Sequence, residues 1–77
     1  MTQREMIFTF NKLGISQSMF WLGAVEKADS VNGLTYDGRN WIVYYRAQGL
    51  LSNVAQYDTH EAACDELFKR VMELMEA

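Results

Sequence analysis

Residues 40–46, Asn-Trp-Ile-Val-Tyr-Tyr-Arg, form the densest run of β-branched and aromatic side chains in the 77-residue chain. Such residues fit a pleated, half-buried surface. Turn signals stand on both sides, Asp37-Gly38 before the run and Gln48-Gly49 after it. The run thus has strand partners at hairpin distance upstream and downstream, which places it at the centre of a sheet. Alternation then puts Trp41, Val43 and Tyr45 on one face and Ile42, Tyr44 and Arg46 on the other.

Residues 31–36 supply the upstream strand, although Asn32-Gly33 weakens its beginning. The turn between the two is Asp37-Gly38, with Arg39 and Asn40 included in its longer version. A second turn at Ala47-Gln48-Gly49 leads into a strand over residues 51–57. Residues 19–22, Met-Phe-Trp-Leu, are apolar and stop at Gly23. They read either as a short edge strand or as an apolar connection packed under the sheet, because periodicity does not separate the two in so short a run. Around them, Ser16-Gln17-Ser18 reads as a turn, and Glu26, Lys27, Asp29 and Ser30 as a polar loop.

The ends of the chain carry helical patterns. Thr2 is placed to N-cap a helix over residues 3–13, and Glu5 completes a capping box. Met6, Ile7, Phe10 and Leu13 form its apolar stripe, and Gly14 followed by Ile15 suits a Schellman ending. In the last helix Asp58 is placed as N-cap with Glu61 in a second capping box. Its stripe is Cys64, Leu67, Phe68, Val71, Leu74 and Met75. The expected fold is a single α+β domain over residues 1–77, an antiparallel three- to four-stranded meander flanked by N- and C-terminal helices packed on one face. Two amphipathic helices need one apolar surface, and the face with Trp41, Val43 and Tyr45 is assigned to them. Ile42, Tyr44 and Arg46 are then expected to be open to water or to a partner.

Charge and composition bound the function. Net charge is −3, and it is uneven: residues 58–77 carry six acids against Lys69 and Arg70, whereas the first 57 residues net +1. An acidic C-terminal segment argues against nucleic acid or anionic lipid as partner, since phosphate binding needs a basic face. It reads first as a solvated helix face and secondly as a surface for a basic protein. The apolar runs, residues 19–22 and 41–45 among them, are far short of a membrane span. The N-terminus lacks a signal peptide's apolar core, and the one cysteine gives no disulfide scaffold, so a cytoplasmic location is expected.

Catalytic material is sparse. His60 falls in the first turn of the last helix, and Cys64 follows at i+4 on the apolar stripe, where a thiol acts as a small buried hydrophobe. One histidine and one cysteine cannot make a four-ligand zinc site, and the glycines are scattered at turns instead of forming a phosphate-binding loop. No enzyme, cofactor or metal is expected.

Four segments taken together resemble a known pattern. They are Lys-Leu-Gly-Ile at residues 12–15, Ser-Met-Phe-Trp-Leu-Gly at 18–23, Trp-Ile-Val-Tyr-Tyr-Arg-Ala-Gln-Gly at 41–49, and Tyr-Asp-Thr-His-Glu-Ala-Ala-Cys at 57–64. The chain resembles small bacterial immunity proteins of polymorphic-toxin and contact-dependent growth inhibition systems. It departs from their pattern at Ala47-Gln48, where that family is expected to carry Glu-Arg, and at His60 in the Glu-rich cap. The resemblance implies neutralisation of a cognate toxin domain, most often a nuclease, by stoichiometric protein–protein binding. Contact residues cannot be carried over by motif. Charge and expected exposure name Glu26, Asp29, Asp37, Tyr44, Arg46, Asp65, Glu66 and Glu73 as partner-binding candidates. The alternative is a small self-associating adaptor or regulatory subunit, a homodimer formed through the Ile42–Tyr44 face.

Overall fold

Local signals start and stop the first helix. Thr2 Oγ1 accepts a hydrogen bond from the Glu5 N–H at 3.1 Å, while Glu5 Oε1 accepts one from the Thr2 N–H at 2.8 Å. This reciprocal pair is a capping box, and helix α1 (Gln3–Lys12) follows it. At the other end Gly14 has φ +74°, and the N–H groups of Gly14 and Ile15 donate to Asn11 O and Phe10 O. That Schellman ending folds Ile15 back into the core beside Phe10. It also corrects the expected stripe, because Leu13 is left exposed as the C-cap and Ile15 takes its place.

The computed structural model describes residues 1–76. After α1 come β1 (Phe20–Leu22), β2 (Val31–Tyr36), β3 (Trp41–Ala47), β4 (Leu50–Tyr57) and α2 (His60–Glu76), in an α+β fold with strand order β1-β2-β3-β4. Short 3-10 turns at Gln17–Met19 and Val25–Lys27 flank β1. Residues 20–22 are thus a true edge strand, and β1 runs parallel to β2, a departure from the expected antiparallel meander. The connection between β1 and β2 crosses over one face of the sheet, which a hairpin turn could not do. The other pairs are antiparallel. Asp37 Oδ1 accepts from the N–H groups of Arg39 and Asn40 at 2.8 and 2.7 Å, so the longer turn is the real one. Gln48 and Gly49 both have positive φ, as a two-residue type I′ hairpin requires.

Helix α2 corrects a detail of the sequence reading. Its first turn is capped by Thr59, whose Oγ1 accepts from the Ala62 N–H at 3.1 Å, not by Asp58. With Thr59 as N-cap the third helical residue is Ala62. Glu61 therefore sits one place too early to close a capping box.

Both helices pack on one sheet face. Met6, Phe10, Ile15, Phe20, Leu34, Val43, Ala63, Cys64, Leu67 and Val71 form the main core. Phe10 is its hub, with ring centroids 4.8 Å from Phe20 and 5.3 Å from Phe68. The core ends at Val71, and Leu74 and Met75 beyond it are half exposed.

Candidate interaction surface

The second face of the sheet is closed, against expectation. Tyr44 is fully buried there, in a smaller cluster with Ala28 and Val31, flanked by Trp21, Val25 and Ile42. Its cover is the crossover between β1 and β2. Three carbonyls of that segment are held by side chains from the sheet. Arg46 Nη1 donates to Val25 O at 2.9 Å and to Ala28 O at 3.0 Å, and Trp21 Nε1 donates to Ala24 O at 2.9 Å. Gly33 stands opposite Tyr44 in the β2–β3 register, and a Cβ added there would collide with the Tyr44 ring. The glycine that weakened β2 in the sequence is the floor on which that ring lies. Tyr44 and Arg46 are therefore internal parts of the fold and not an open recognition surface.

The acidic candidates scatter. Glu26 and Asp29 are exposed on the crossover, Asp37 is committed to its turn, and Asp65, Glu66 and Glu73 lie on α2 beyond the opposite face. The Asp37 carboxyl is held below the usual range by the backbone N–H groups of Asn40 and Arg39. Asp65 is exposed and accepts from the Met1 ammonium at 2.7 Å, which raises the pKa of that amine. Glu66 is half buried and pairs with Arg70 Nε at 2.8 Å. On the outer side of α2, Glu61, Asp65 and Glu76 are all exposed and span an arc of about 60° at 3.6 residues per turn. Glu61 and Glu76 were not singled out by sequence, where capping and general solvation accounted for them.

Beside α2, a groove of about 500 Å³ runs between the helix flank and the far edge of the sheet. Asn32 lies in it, Lys69, Arg70 and Glu73 line one wall, and Asn53 and Val54 line the other. Asn53 has φ +51°, and the β3–β4 register slips by one residue between Val43 and Tyr45, which marks a bulge in β4. Lys69 and Glu73 are one helical turn apart, yet among the described residues neither forms a salt bridge.

His60 and Cys64 do not form a catalytic pair. The His60 ring stacks on Trp41 at 4.1 Å with 15° between planes, and Cys64 is enclosed in the main core. Burial pushes the Cys64 thiol pKa up, away from the nucleophilic thiolate. Among the described residues no three His, Cys, Asp or Glu side chains converge on a metal-sized point, and no helix is long and apolar enough to cross a membrane. Comparison with family models, with curated proteins and with solved structures returns no match to this chain.

Proposed function

We propose that this chain is an immunity protein that binds a bacterial toxin domain in the cytoplasm, one to one, and blocks its active site or its substrate approach. The motif resemblance across residues 12–64 supports that reading. The observation that carries it is the outer face of α2, where Glu61, Asp65 and Glu76 are exposed together, Asp65 paired with the Met1 ammonium. A nuclease must present a basic cleft to phosphate, and an acidic helix of this kind complements it and accelerates encounter. The sheet face that a self-associating adaptor would have used is occupied by residues 24–28 over Tyr44, so the adaptor reading loses its proposed surface.

The test is affinity capture of the tagged protein from its source cells, followed by growth rescue against any toxin domain recovered. A stoichiometric toxin silenced by co-expression is the expected result. Recovery of a housekeeping complex, or of this chain alone, overturns the reading. With the toxin in hand, reversing Glu61, Asp65 and Glu76 to lysine should lower the association rate about tenfold and flatten its salt dependence. Unchanged kinetics would place the interface elsewhere.

A further inference from the structure

Asn32 is only 7% exposed. It alternates with Leu34 along β2, so it faces the helical layer. Among the described residues its side-chain amide makes no hydrogen bond. A buried amide left unpaired forfeits its bonds to water, and folds seldom carry one without a use. This one opens on the groove beside α2.

The other polar groups of that groove add up to a neutral but divided site. Arg70 and Glu66 satisfy each other through Nε at 2.8 Å. Lys69 and Glu73 are the charges left over. Lys69 precedes Glu73, the weaker order for an i,i+4 pair, and the two heads form no bridge. Their positions are about 6 Å apart along the helix axis. On the opposite wall Asn53, turned by its positive φ at the β4 bulge, supplies a second amide with no side-chain bond of its own. One cation, one anion and two amides are thus left without partners around a single space.

We propose that this groove binds a short peptide with free termini, two residues in length. An extended dipeptide holds its ammonium and carboxylate about 6 Å apart, which matches the spacing of Glu73 and Lys69. Its single peptide group lies between the charges, with C=O and N–H directed to opposite sides. Asn32 meets one side and Asn53 the other, since each amide can donate or accept. A free amino acid carries both charges on one carbon and has no peptide group, so it leaves the amides unpaired. A simple anion or cation leaves one charge of the wall unmatched. The groove, about 500 Å³, has room for side chains, so the backbone and the termini are what is read. Glu61, Asp65 and Glu76 lie outside it, and the site stands or falls separately from toxin binding.

The experiment is an NMR titration of the 15N-labelled full chain with L-alanyl-L-alanine, with circular dichroism to confirm that each variant is folded. Saturable shifts are expected at Asn32, Asn53 and the Lys69–Glu73 turn, with a dissociation constant on the order of 1 mM. The same dipeptide acetylated and amidated at its ends lacks both charges and should bind about tenfold or more weakly, as should free L-alanine. Lys69→Ala and Glu73→Ala change exposed side chains and should each weaken binding about tenfold. Asn32→Ala should abolish it. If that variant does not fold, the two helix variants decide. Absence of saturation at about ten times the expected constant overturns the proposal. So do shifts confined to residues off the groove, equal binding of the capped dipeptide, or indifference to both Lys69→Ala and Glu73→Ala.

Discussion

On one face of the sheet, Phe10, Leu67 and Val71 bury Leu34 and Val43 by apolar contact between regular elements. On the other, residues 24–28, one short 3-10 turn with its flanks, cover Tyr44, and three hydrogen bonds from Arg46 and Trp21 hold their carbonyls. The first cover works by area. Any helix with the right stripe would bury roughly the same surface, and its contribution scales with the apolar atoms removed from water. The second works by fit. A single 3-10 turn pairs few of its own backbone groups, so it can lie on a sheet only where specific donors meet its carbonyls. Small domains have little area to spend on two cores, and here the second face is closed by directed bonds over a single tyrosine.

If that contrast is right, truncation hurts most where area does the work. Leu67→Ala removes a fully buried side chain from the main core and should lower unfolding free energy by about 3 kcal/mol or more. Urea denaturation followed by far-UV circular dichroism measures it, and a loss below about 1 kcal/mol would mean that the helices collapse readily into the space.

The next largest effect tests the fit on the other face. Gly33→Ala drives a Cβ into the Tyr44 ring, and displacing that ring should cost about 2 kcal/mol. The same substitution in a Tyr44→Ala background should cost far less, because the obstacle is gone. A double-mutant cycle with no coupling would show that strand entropy, and not the ring, demands glycine.

Arg46→Met keeps the aliphatic stem and removes the donors to Val25 O and Ala28 O. A loss of about 1.5 kcal/mol is expected, typical of hydrogen bonds from a charged group. The signature lies in where the loss appears. Amide exchange in residues 24–30 should accelerate while β3 and α2 stay protected, since the segment opens locally. Uniform acceleration across the chain would make Arg46 part of the main core's cooperative unit.

These two covers were not equally legible in the sequence. Helix periodicity, the Thr2–Glu5 capping box, the Gly14 stop and the Asp37-Gly38 and Gln48-Gly49 turns are local signals, each decided within a few residues, and they located the helices and three strands. The closed second face was invisible because its parts are distant in sequence. Arg46 meets residues 18 and 21 positions away, and a strand showing Ile42, Tyr44 and Arg46 on one side looks the same whether that side is wet or covered. Gly33 was visible as a weakness in β2, but its reason, the Tyr44 ring across the ladder, needs the register. The cap moved from Asp58 to Thr59 for a smaller reason, since two adjacent residues offer similar oxygens and tertiary packing sets the phase of α2. Of the residues chosen for partner binding by charge and alternation, Tyr44 and Arg46 failed on that long-range cover. Asp65 was chosen by charge, and Glu61 and Glu76 joined it on the outer face of α2 once the helix phase was fixed.

The smallest effect is the most discriminating. Tyr44 carries its hydroxyl into the loop-covered cluster, where the oxygen is enclosed and, among the described residues, has no hydrogen-bond partner. Burial also pushes its pKa up, the direction expected for a phenol whose charged form is excluded from water. A buried donor without an acceptor forfeits its bonds to water and receives nothing in return. Tyr44→Phe should therefore leave the urea midpoint unchanged or raise it slightly, within about 0.5 kcal/mol, because the ring over Gly33 and the apolar contacts to Ala28 and Val31 are all retained. The comparison with Arg46→Met gives this its force. Two polar groups on the same face then behave oppositely, one holding the cover through its bonds and the other merely tolerated for the ring that carries it. A loss of about 1 kcal/mol or more for Tyr44→Phe would show the hydroxyl to be bonded in solution, and the second core would then be a satisfied polar network around Tyr44 instead of an apolar ring pinned beneath a clamped segment.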